Sequence, residues 1–321
     1  MSNGLIVIGE NINTTRRIRA NNPSIVKEGD RFTYAYIDDG VHRRLDITEI
    51  FPKDLSKLQI TRIGHIGQAI RKRDVDFIRW AVLSQQRTGA QIIDLCVDEL
   101  SVEPDERVEH IQWLVRTAQS ISSASFAIDS SDPKTIVAGL EVYDRSKSRP
   151  AINSVSLEPG RDVLIQVGKD EGCLIFSNGS GADGMPQDAD ERVHNLTACM
   201  DLMDRAAVPM KDRFLDPLVF PIGAGPQFGR HYLEAVRELR ARFPDVHIFG
   251  GLSNVSFGLP QRKLLNHAFI ILAIVNGCDA IMIDPLMNDP KEYIKFGLAA
   301  DVMTAKDEYA TNFLKFVRQA A

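Results

Sequence analysis

Hydrophobic residues cluster in short β-rich runs, and a segment with the periodicity of an amphipathic helix follows most of these runs. Eight such runs predict eight strands. They are LIVIGENIN (5–13), AQIIDLCVD (90–98), SFAIDSS (125–131), PAINSVSLE (150–158), CLIFSNGS (173–180), RFLDPLVFPIG (213–223), HIFGGLSN (247–254) and DAIMIDPL (279–286).

Between these strands the pattern predicts helices, among them 74–89, 105–121, 132–144, 188–206, 231–243 and 262–277. Several of them open on Asp or Asp-Pro and several close on Gly, as helix caps do. Eight strands alternating with eight helices predict an α/β protein with a single (β/α)8 TIM barrel. A doubly wound open sheet is the alternative, but no GxGxxG motif follows the first strand to support nucleotide binding.

One segment, at about 14–62, interrupts the alternation. Its apolar residues alternate around Asp39-Gly40, which predicts a β-hairpin with a tight turn. It carries ten Lys and Arg residues against seven Asp and Glu residues, a net charge of +3 in a chain of net charge −5. We interpret it as an insertion in the first βα loop, on the catalytic face, within a single barrel domain that spans 1–321.

Composition excludes several classes of protein. The chain of 321 residues is 44% hydrophobic and 25% charged, which is typical of a globular protein with a full core. The slightly acidic balance makes a nucleic acid or a membrane surface an unexpected partner. No apolar run is long enough for a membrane span, and the first residues lack a signal-peptide pattern, so a cytoplasmic protein is expected.

The cysteines also agree with a cytoplasmic protein. Cys96, Cys173, Cys199 and Cys278 are far apart, with no CxxC pair and no His at a metal-ligand spacing. We interpret them as reduced thiols, at least two of them in apolar strands, and expect no metal to be bound by this chain.

Polar residues recur at the carboxyl ends of the predicted strands, where barrel enzymes carry their chemistry. They are Glu10, Asn13, Asp94, Asp98, Asp129, Asn153, Asn178, Asp216, Asn254 and Asp284. Asp98 and Asp284 are assigned to turns or helix caps. The others include Asp and Asn inside apolar runs, where a polar group needs a partner. Acceptors and amides without a nucleophile or cations favour a neutral heterocycle rich in N–H donors.

The motifs GENIN, QIIDLCVDE, FAIDSSDP, INSVSLE, LDPLVFPIG and GGLSNVS occur in an order that resembles the pterin-binding barrel family. Within it, the chain is most similar to methyltetrahydrofolate:corrinoid protein methyltransferases and to the folate-binding domain of cobalamin-dependent methionine synthase. The resemblance covers all of the chain except 14–62. Dihydropteroate synthases share the fold, but the basic motifs that hold their diphosphate substrate have no counterpart here.

The resemblance implies a role for each matching position. Asp129, Asn153 and Asp216 correspond to residues that bind the pterin ring, and Asn254 corresponds to the catalytic asparagine at the nitrogen that carries the methyl group. Arg262 matches an arginine beside the pterin. Asn13 and Asp94 match positions in or just behind the pterin site.

The implied function is methyl transfer between N5 of tetrahydrofolate and the cobalt of a corrinoid, in a demethylation or one-carbon pathway. No Asp-x-His-x-x-Gly stretch that would anchor a corrinoid is present, so the corrinoid (cobalamin) is expected on a partner protein or free. Relatives commonly form homodimers. Cys96 stands where the family usually has Asn, which leaves the role of that strand end open.

Two alternatives remain from the sequence. One is a demethylase that binds a small methylated compound directly and passes its methyl group to folate. The other is a dihydropteroate synthase-like enzyme or a pterin-binding protein without catalytic activity.

Overall fold

The computed structural model describes residues 4–320, and eight parallel strands form its central sheet. These strands are β1 (Ile6–Asn13), β7 (Ile92–Cys96), β8 (Ser125–Asp129), β9 (Ala151–Val155), β10 (Leu174–Asn178), β11 (Arg213–Asp216), β12 (His247–Ile248) and β13 (Ala280–Ile283). All eight predicted strands are confirmed. Two predictions are wrong in extent. The strand predicted at 213–223 ends at Asp216. The strand predicted at 247–254 ends at Ile248, and Asn254 lies on a 3₁₀ turn, Leu252–Ser256.

Helices lie between the strands, as the periodicity predicted. They are α1 (His65–Arg71), α2 (Val75–Arg87), α3 (Pro104–Ile121), α4 (Pro133–Glu141), α5 (Val163–Asp170), α6 (Ala189–Arg205), α7 (Phe228–Arg242), α8 (Arg262–Asn276), α9 (Pro290–Met303) and α10 (Thr311–Ala320). Aspartate caps start several of them: the Asp74 carboxylate accepts the Phe77 N–H, and Asp188 accepts the Glu191 N–H.

The sheet closes into a barrel. Its strand order is β12-β11-β10-β9-β8-β7-β1-β13. The two end strands meet through the Asp279 N–H, which donates to the Ile248 carbonyl, and the Met282 N–H, which donates to the Gly250 carbonyl, each at 3.2 Å. A parallel bridge between Gly251 and Met282 extends this contact. The predicted TIM barrel is therefore the observed fold.

An apolar layer fills the interior of the barrel, with one residue from each strand or its immediate end. The layer consists of Ile8, Ile92, Ala127, Ala151, Phe176, Phe214, Phe249 and Ala280. The three phenylalanines pack together, with the ring centroids of Phe176 and Phe249 4.8 Å apart. This packed layer blocks passage through the barrel, and the chemistry of such barrels lies above it, at the carboxyl ends of the strands.

The segment between β1 and α1 contains five short strands. They are β2 (Ile18–Arg19), β3 (Ile25–Glu28), β4 (Arg31–Asp38), β5 (Val41–Asp46) and β6 (Arg62–Ile63). Strands β3, β4 and β5 form an antiparallel sheet, and the chain turns between β4 and β5 at Asp39-Gly40, where both residues have positive φ. A separate two-stranded ribbon pairs β2 with β6.

The three-stranded sheet packs along helix α2, and its strand β4 brings Tyr34 near Asp284 and Arg16. Tyr36 contacts the rings of Phe77 and Trp80. At the turn, Asp39 pairs with Arg87, in the last turn of α2. Since α2 runs from the catalytic face to the opposite face, the hairpin tip lies far from the strand carboxyl ends. The hairpin tip therefore does not border the pocket, whereas the ends of the segment and Tyr34 lie near it.

Candidate active site

A polar layer lies directly above the apolar layer. Side chains in a strand point to the same face every second residue, and in the barrel the residue two positions beyond an apolar-layer residue is polar on six of the eight strands. These polar residues are Glu10, Asp94, Asp129, Asn153, Asn178 and Asp216. On β13 that position is Met282, and Asp284 lies two residues further. After β12 it is Gly251, and Asn254 follows. Five of the predicted site residues therefore meet at one mouth.

Two hydrogen bonds join four of the predicted pterin residues. The Asn153 amide donates to the Asp94 carboxylate at 2.9 Å, and the Asn13 amide donates to the Asp129 carboxylate at 3.4 Å. Burial, together with the charge of nearby Asp129, raises the pKa of Asp94 well above its ordinary value. Burial and the charge of Asp98 raise the pKa of Asp129 to about 6. The protein therefore supplies too few hydrogen-bond donors to these two carboxylates.

Asp216, like Asp94 and Asp129, has few hydrogen-bond partners inside the protein. Its side chain accepts one hydrogen bond within residues 4–320, from the Leu218 N–H at 2.8 Å. Burial raises its pKa to about 7, and the Leu218 N–H and Arg192 offset that effect only in part. A desolvated carboxylate with a free oxygen is a strong acceptor for the N–H donors of a ligand.

Two glycines explain why β12 stops short of Asn254. A side chain at Gly250 would come within 2.7 Å of the Tyr232 hydroxyl and 3.2 Å of the Asp216 carboxylate, and one at Gly251 would come within 3.0 Å of the Asn254 amide. Only glycine allows the backbone to pass this close to both site residues. The chain then forms the 3₁₀ turn, and Asn254 lies exposed at the mouth.

The Asn254 amide makes no side-chain hydrogen bond to any residue between 4 and 320, whereas both of its flanking serines are anchored. The Ser253 hydroxyl donates to Glu10 at 3.2 Å. The buried Ser256 hydroxyl donates to the Asn266 side chain at 2.6 Å. The turn is therefore held on two sides, and the amide that it carries is available to a ligand.

Arg262 contacts this turn. Its guanidinium donates to the Ser256 hydroxyl at 3.1 Å and to the Ser253 carbonyl at 3.0 Å, and it lies 5.8 Å from the centroid of the Phe257 ring. The side chain is exposed at the first residue of α8. The structure thus places Arg262 next to Asn254, where it supports the turn, and pterin stacking stays a prediction.

The first and last strands contribute a cluster that sequence reasoning did not assign. Asp284 accepts hydrogen bonds from the Asn11 amide and the Leu286 N–H, each at 3.0 Å, and it forms an ion pair with Arg16. Arg16 also lies 3.5 Å from Glu10. The prediction of a turn for Asp284 is correct but incomplete, because its second oxygen pairs with an arginine from the inserted segment. No local pattern links residues 16 and 284.

Asp98 also differs from its prediction. Its two carboxylate oxygens accept the Ser130 hydroxyl at 2.6 Å and the Ser131 N–H at 2.7 Å, so it supports the loop after β8 and caps no helix of its own. On the other side of that loop, buried Arg161 donates to the carbonyls of Ser130 at 3.0 Å and of Ser154 at 3.1 Å. These contacts fix the strand ends that carry Asp129 and Asn153.

Cys96 is buried in the barrel, where its register partners are Asn13 and Asp129. Burial raises the pKa of its thiol well above the ordinary value, and the nearby carboxylates raise it further. The thiol is therefore protonated. It adds a weak donor to the polar layer where an amide would add strong ones.

Other features of the molecule lie away from the mouth. A cleft of about 540 Å³ lies between α6 and α7, and one of about 480 Å³ lies between α9 and α10. In the described chain, 4–320, no three His, Cys, Asp or Glu residues are arranged to hold a metal ion. No helix in that same range is long and apolar enough to cross a membrane.

Residues 67–284 match the family described as pterin binding enzyme, which is more than half of the chain. The chain belongs to this family. The match begins in α1 and ends at Asp284, so it includes every polar strand end of the mouth except those of β1. The resemblance read from the motifs is confirmed at the level of the family.

Two relatives of this pterin binding enzyme are a methyltransferase and a methionine synthase by name. The chain is 28% identical over 258 residues to a methylcorrinoid:tetrahydrofolate methyltransferase from Eubacterium limosum, covering 79% of this chain and 92% of the relative. It is 29% identical over 212 residues to a methionine synthase from Mycobacterium tuberculosis. That match covers 62% of this chain and 17% of the longer relative.

Solved structures agree with the barrel. A dihydropteroate synthase from Coxiella burnetii in complex with pteroic acid gives a TM-score of 0.56 at 13% identity, covering 70% of this chain and 86% of that one. The Yersinia pestis dihydropteroate synthase with a pterine-sulfa conjugate gives a TM-score of 0.55 at 17% identity, covering 71% of this chain and 90% of that one. At this identity the likeness shows the fold alone.

Proposed function

We propose that this pterin binding enzyme transfers a methyl group between N5 of tetrahydrofolate and the cobalt of a corrinoid. The observation that carries the proposal is the polar layer at the mouth, in which Asp216 and Asn254 have free polar atoms within residues 4–320. The activity named for the Eubacterium limosum relative supports it, since the chain covers 92% of that protein.

The pterin ring fits the donors and acceptors of the layer. Asp216, Asp129 and Asp94 are acceptors with burial-raised pKa values, so N–H groups of a pterin would supply the donors that the protein lacks. The Asn153 amide N–H is engaged to Asp94, so Asn153 would present its carbonyl oxygen to the ring. The Asn13 oxygen already accepts the N–H and the hydroxyl of Thr15, so Asn13 would hold Asp129 in place rather than contact the ring. In this arrangement the pterin lies across β7 to β11.

Asn254 would act on the reacting nitrogen. When bound, the corrinoid supplies cobalt(I), whose electron pair forms the bond to the methyl carbon as the bond from that carbon to N5 breaks. The departing N5 needs a proton or a strong hydrogen bond, because a nitrogen that leaves as an anion is a poor leaving group. The exposed Asn254 amide can donate to N5 or accept from its N–H, so it stabilises the nitrogen on either side of the transfer.

We further propose the physiological setting. The name of the relative describes transfer from a methylcorrinoid to tetrahydrofolate, which is the direction expected in a demethylation pathway. A corrinoid-carrying protein would dock at the open mouth, with this chain acting as one unit over 1–321 in a cytoplasmic homodimer. By microscopic reversibility the same residues serve the opposite direction.

The test is direct methyl transfer from methyltetrahydrofolate to free cob(I)alamin, followed by the change in cobalt absorbance. We expect turnover by the wild-type protein and a large loss in the Asn254→Ala variant. Tight folate binding without transfer would make the chain a non-catalytic pterin binder. Methyl transfer to folate from a small methylated compound, in the absence of corrinoid, would favour the direct demethylase.

A further inference from the structure

Two arginines face each other on the ribbon at the edge of the mouth. In the antiparallel pair of β2 and β6, Arg19 is the register partner of Arg62, and Ile18 is the partner of Ile63. Ile63 belongs to the core and Ile18 packs against it. Side chains directly opposite each other lie on one face, so both arginines project together on the outer, exposed face.

No carboxylate in the described part of the chain neutralises the positive charge of this arginine pair. Neither guanidinium forms an ion pair with a carboxylate between residues 4 and 320, whereas the neighbours Arg16 and Arg17 pair with Glu10 and Glu99. Like charges directly opposite each other destabilise an antiparallel pair. An anion between the two guanidinium groups would relieve this repulsion.

The ribbon borders the site. Arg19 follows Arg16, whose guanidinium contacts the carboxyl ends of the first and last barrel strands, by three residues. Arg17 pairs with Glu99, in the loop after β7. The two outer arginines therefore lie beside the mouth, on the β1 and β7 side, and Arg16 itself is already neutralised by its carboxylates.

We propose that Arg19 and Arg62 form a subsite for the carboxylates of a polyglutamate tail on the folate substrate. The inference rests on the proposed function, because it takes the pterin ring to lie in the polar layer. The p-aminobenzoyl group must then leave through the mouth, so the first glutamate reaches the rim. Each further γ-linked glutamate adds a carboxylate outside the rim, where the two guanidinium groups can each bind one.

The inserted segment then divides into two parts with separate roles. Its ends form the ribbon and bring cationic side chains to the mouth. Its three-stranded sheet packs on α2 and carries most of the remaining charge in surface pairs, such as Arg44 with Glu28 and Arg87 with Asp39. The excess positive charge of the segment is useful to a substrate only at the ribbon.

The experiment compares the affinities of monoglutamyl and triglutamyl tetrahydrofolate by calorimetry at low ionic strength. We expect the wild-type protein to bind the triglutamate about 3- to 10-fold more tightly, the effect of two exposed ion pairs. The variant Arg19→Gln/Arg62→Gln should lose this preference and keep its monoglutamate affinity within about twofold, since exposed ion pairs add little beyond their own contact. Its melting temperature should not fall, because a like-charge pair has been removed.

The matched control is Arg44→Gln/Arg87→Gln, which removes two charges beside the three-stranded sheet and should keep the full triglutamate preference. A second variant, Lys263→Gln, tests an exposed cation in the first turn of α8, next to Arg262. Equal wild-type affinity for both folates would overturn the proposal. So would a preference that survives in Arg19→Gln/Arg62→Gln or disappears in Lys263→Gln.

Two further measurements distinguish the tail subsite from a protein-docking surface and from a failure of the proposed function. If the Arg19→Gln/Arg62→Gln variant keeps the triglutamate preference but raises the KM for a protein-bound corrinoid, the ribbon is a protein-docking surface and the tail assignment is wrong. Transfer from monoglutamyl methyltetrahydrofolate to free cob(I)alamin reports on the proposed function alone. A wild-type protein that performs this transfer but ignores tail length would contradict only the tail subsite.

Discussion

The two sides of the barrel mouth carry similar polar residues, but those on one side have hydrogen-bond partners inside the protein and those on the other side have few. On the β13 and β1 side, Asp284 and Glu10 are engaged by protein donors, including Arg16 and the Ser253 hydroxyl. On the β11 and β12 side, Asp216 accepts a single hydrogen bond and Asn254 makes none through its side chain within 4–320. Carboxylates and amides at equivalent strand ends thus serve the fold on one side and are open to a ligand on the other.

Residue type alone does not tell a structural polar residue from a ligand-binding one at this mouth, whereas its hydrogen-bond partners do. A buried polar group with all its partners inside the protein is stabilised by them, whereas one left short of partners lowers stability until a ligand supplies them. Burial raises the pKa of Asp216 to about 7, with only the Leu218 N–H and Arg192 opposing it. Burial also raises the pKa of Glu10, so the hydrogen bonds, and not the pKa alone, separate the two sides. Hydrogen-bond satisfaction, more than position on a strand, distinguishes the two sides.

The largest expected effect is on the open side. Asn254→Ala should lower kcat by roughly 10- to 1000-fold, the range for a lost hydrogen bond that strengthens in the transition state, and should weaken folate binding far less. The side chain is exposed, so the melting temperature should stay within a few degrees. Methyl transfer to cob(I)alamin and thermal unfolding measure the two quantities. A parallel fall of kcat and melting temperature would make Asn254 a structural residue.

The two aspartates should respond in opposite ways. Asp216→Ala should cost about 1 to 3 kcal/mol of tetrahydrofolate binding, because pterin donors lose their acceptor, with little change in the free energy of unfolding. Calorimetry and urea unfolding at one pH provide both values. Unchanged folate affinity would remove Asp216 from the pterin site.

Asp284→Ala is the matched variant on the β13 and β1 side, where the polar side chains have partners inside the protein. It leaves the Asn11 amide, the Leu286 N–H and the Arg16 guanidinium without their acceptor, so we expect about 1 to 3 kcal/mol lower stability. The loss of stability should exceed the loss of folate affinity. If both aspartates change the same quantity, the division of the mouth into two sides fails.

Folate affinity should depend on pH through the open side. Pterin N–H donors favour the ionised Asp216, whose pKa in the free protein is raised to about 7 by burial. Ligand binding therefore competes with a proton, and affinity should fall about tenfold from pH 8 to pH 6. Calorimetry across this range measures it. Asp216→Asn should bind more weakly at pH 8 and show a much flatter profile; an unchanged profile would assign the titration to another group.

The smallest effect concerns the support of the catalytic turn. Ser256→Ala removes the hydroxyl that links Arg262 to Asn266, so Asn254 should be held less firmly and kcat should fall by about two- to fivefold. Folate affinity should stay unchanged. In the double variant Asn254→Ala/Ser256→Ala the second substitution should not lower kcat further, because Ser256 acts through Asn254. Full additivity would show an independent role for Ser256.

Much of the site was predictable because it is periodic. Alternation in apolar runs identified the eight strands, and the carboxyl end of each strand then located Asp94, Asp129, Asn153 and Asp216 at one face. The strand prediction failed for Asn254, because the Gly250-Gly251 pair ends strand pairing early for reasons that lie in other parts of the chain. Their lack of side chains accommodates Tyr232 and Asp216.

The barrel, the family and the set of polar strand ends follow from local periodicity and motif order, so the amino-acid sequence was enough to predict them. Which of those polar ends have hydrogen-bond partners inside the protein, and which are open to a ligand, could be read only from the folded chain. That distinction depends on contacts between residues far apart in the chain, such as Arg16 with Asp284 and Ser253 with Glu10, for which no local pattern exists. The position of the inserted sheet on α2 was decided in the same way, by packing and by pairs such as Asp39 with Arg87.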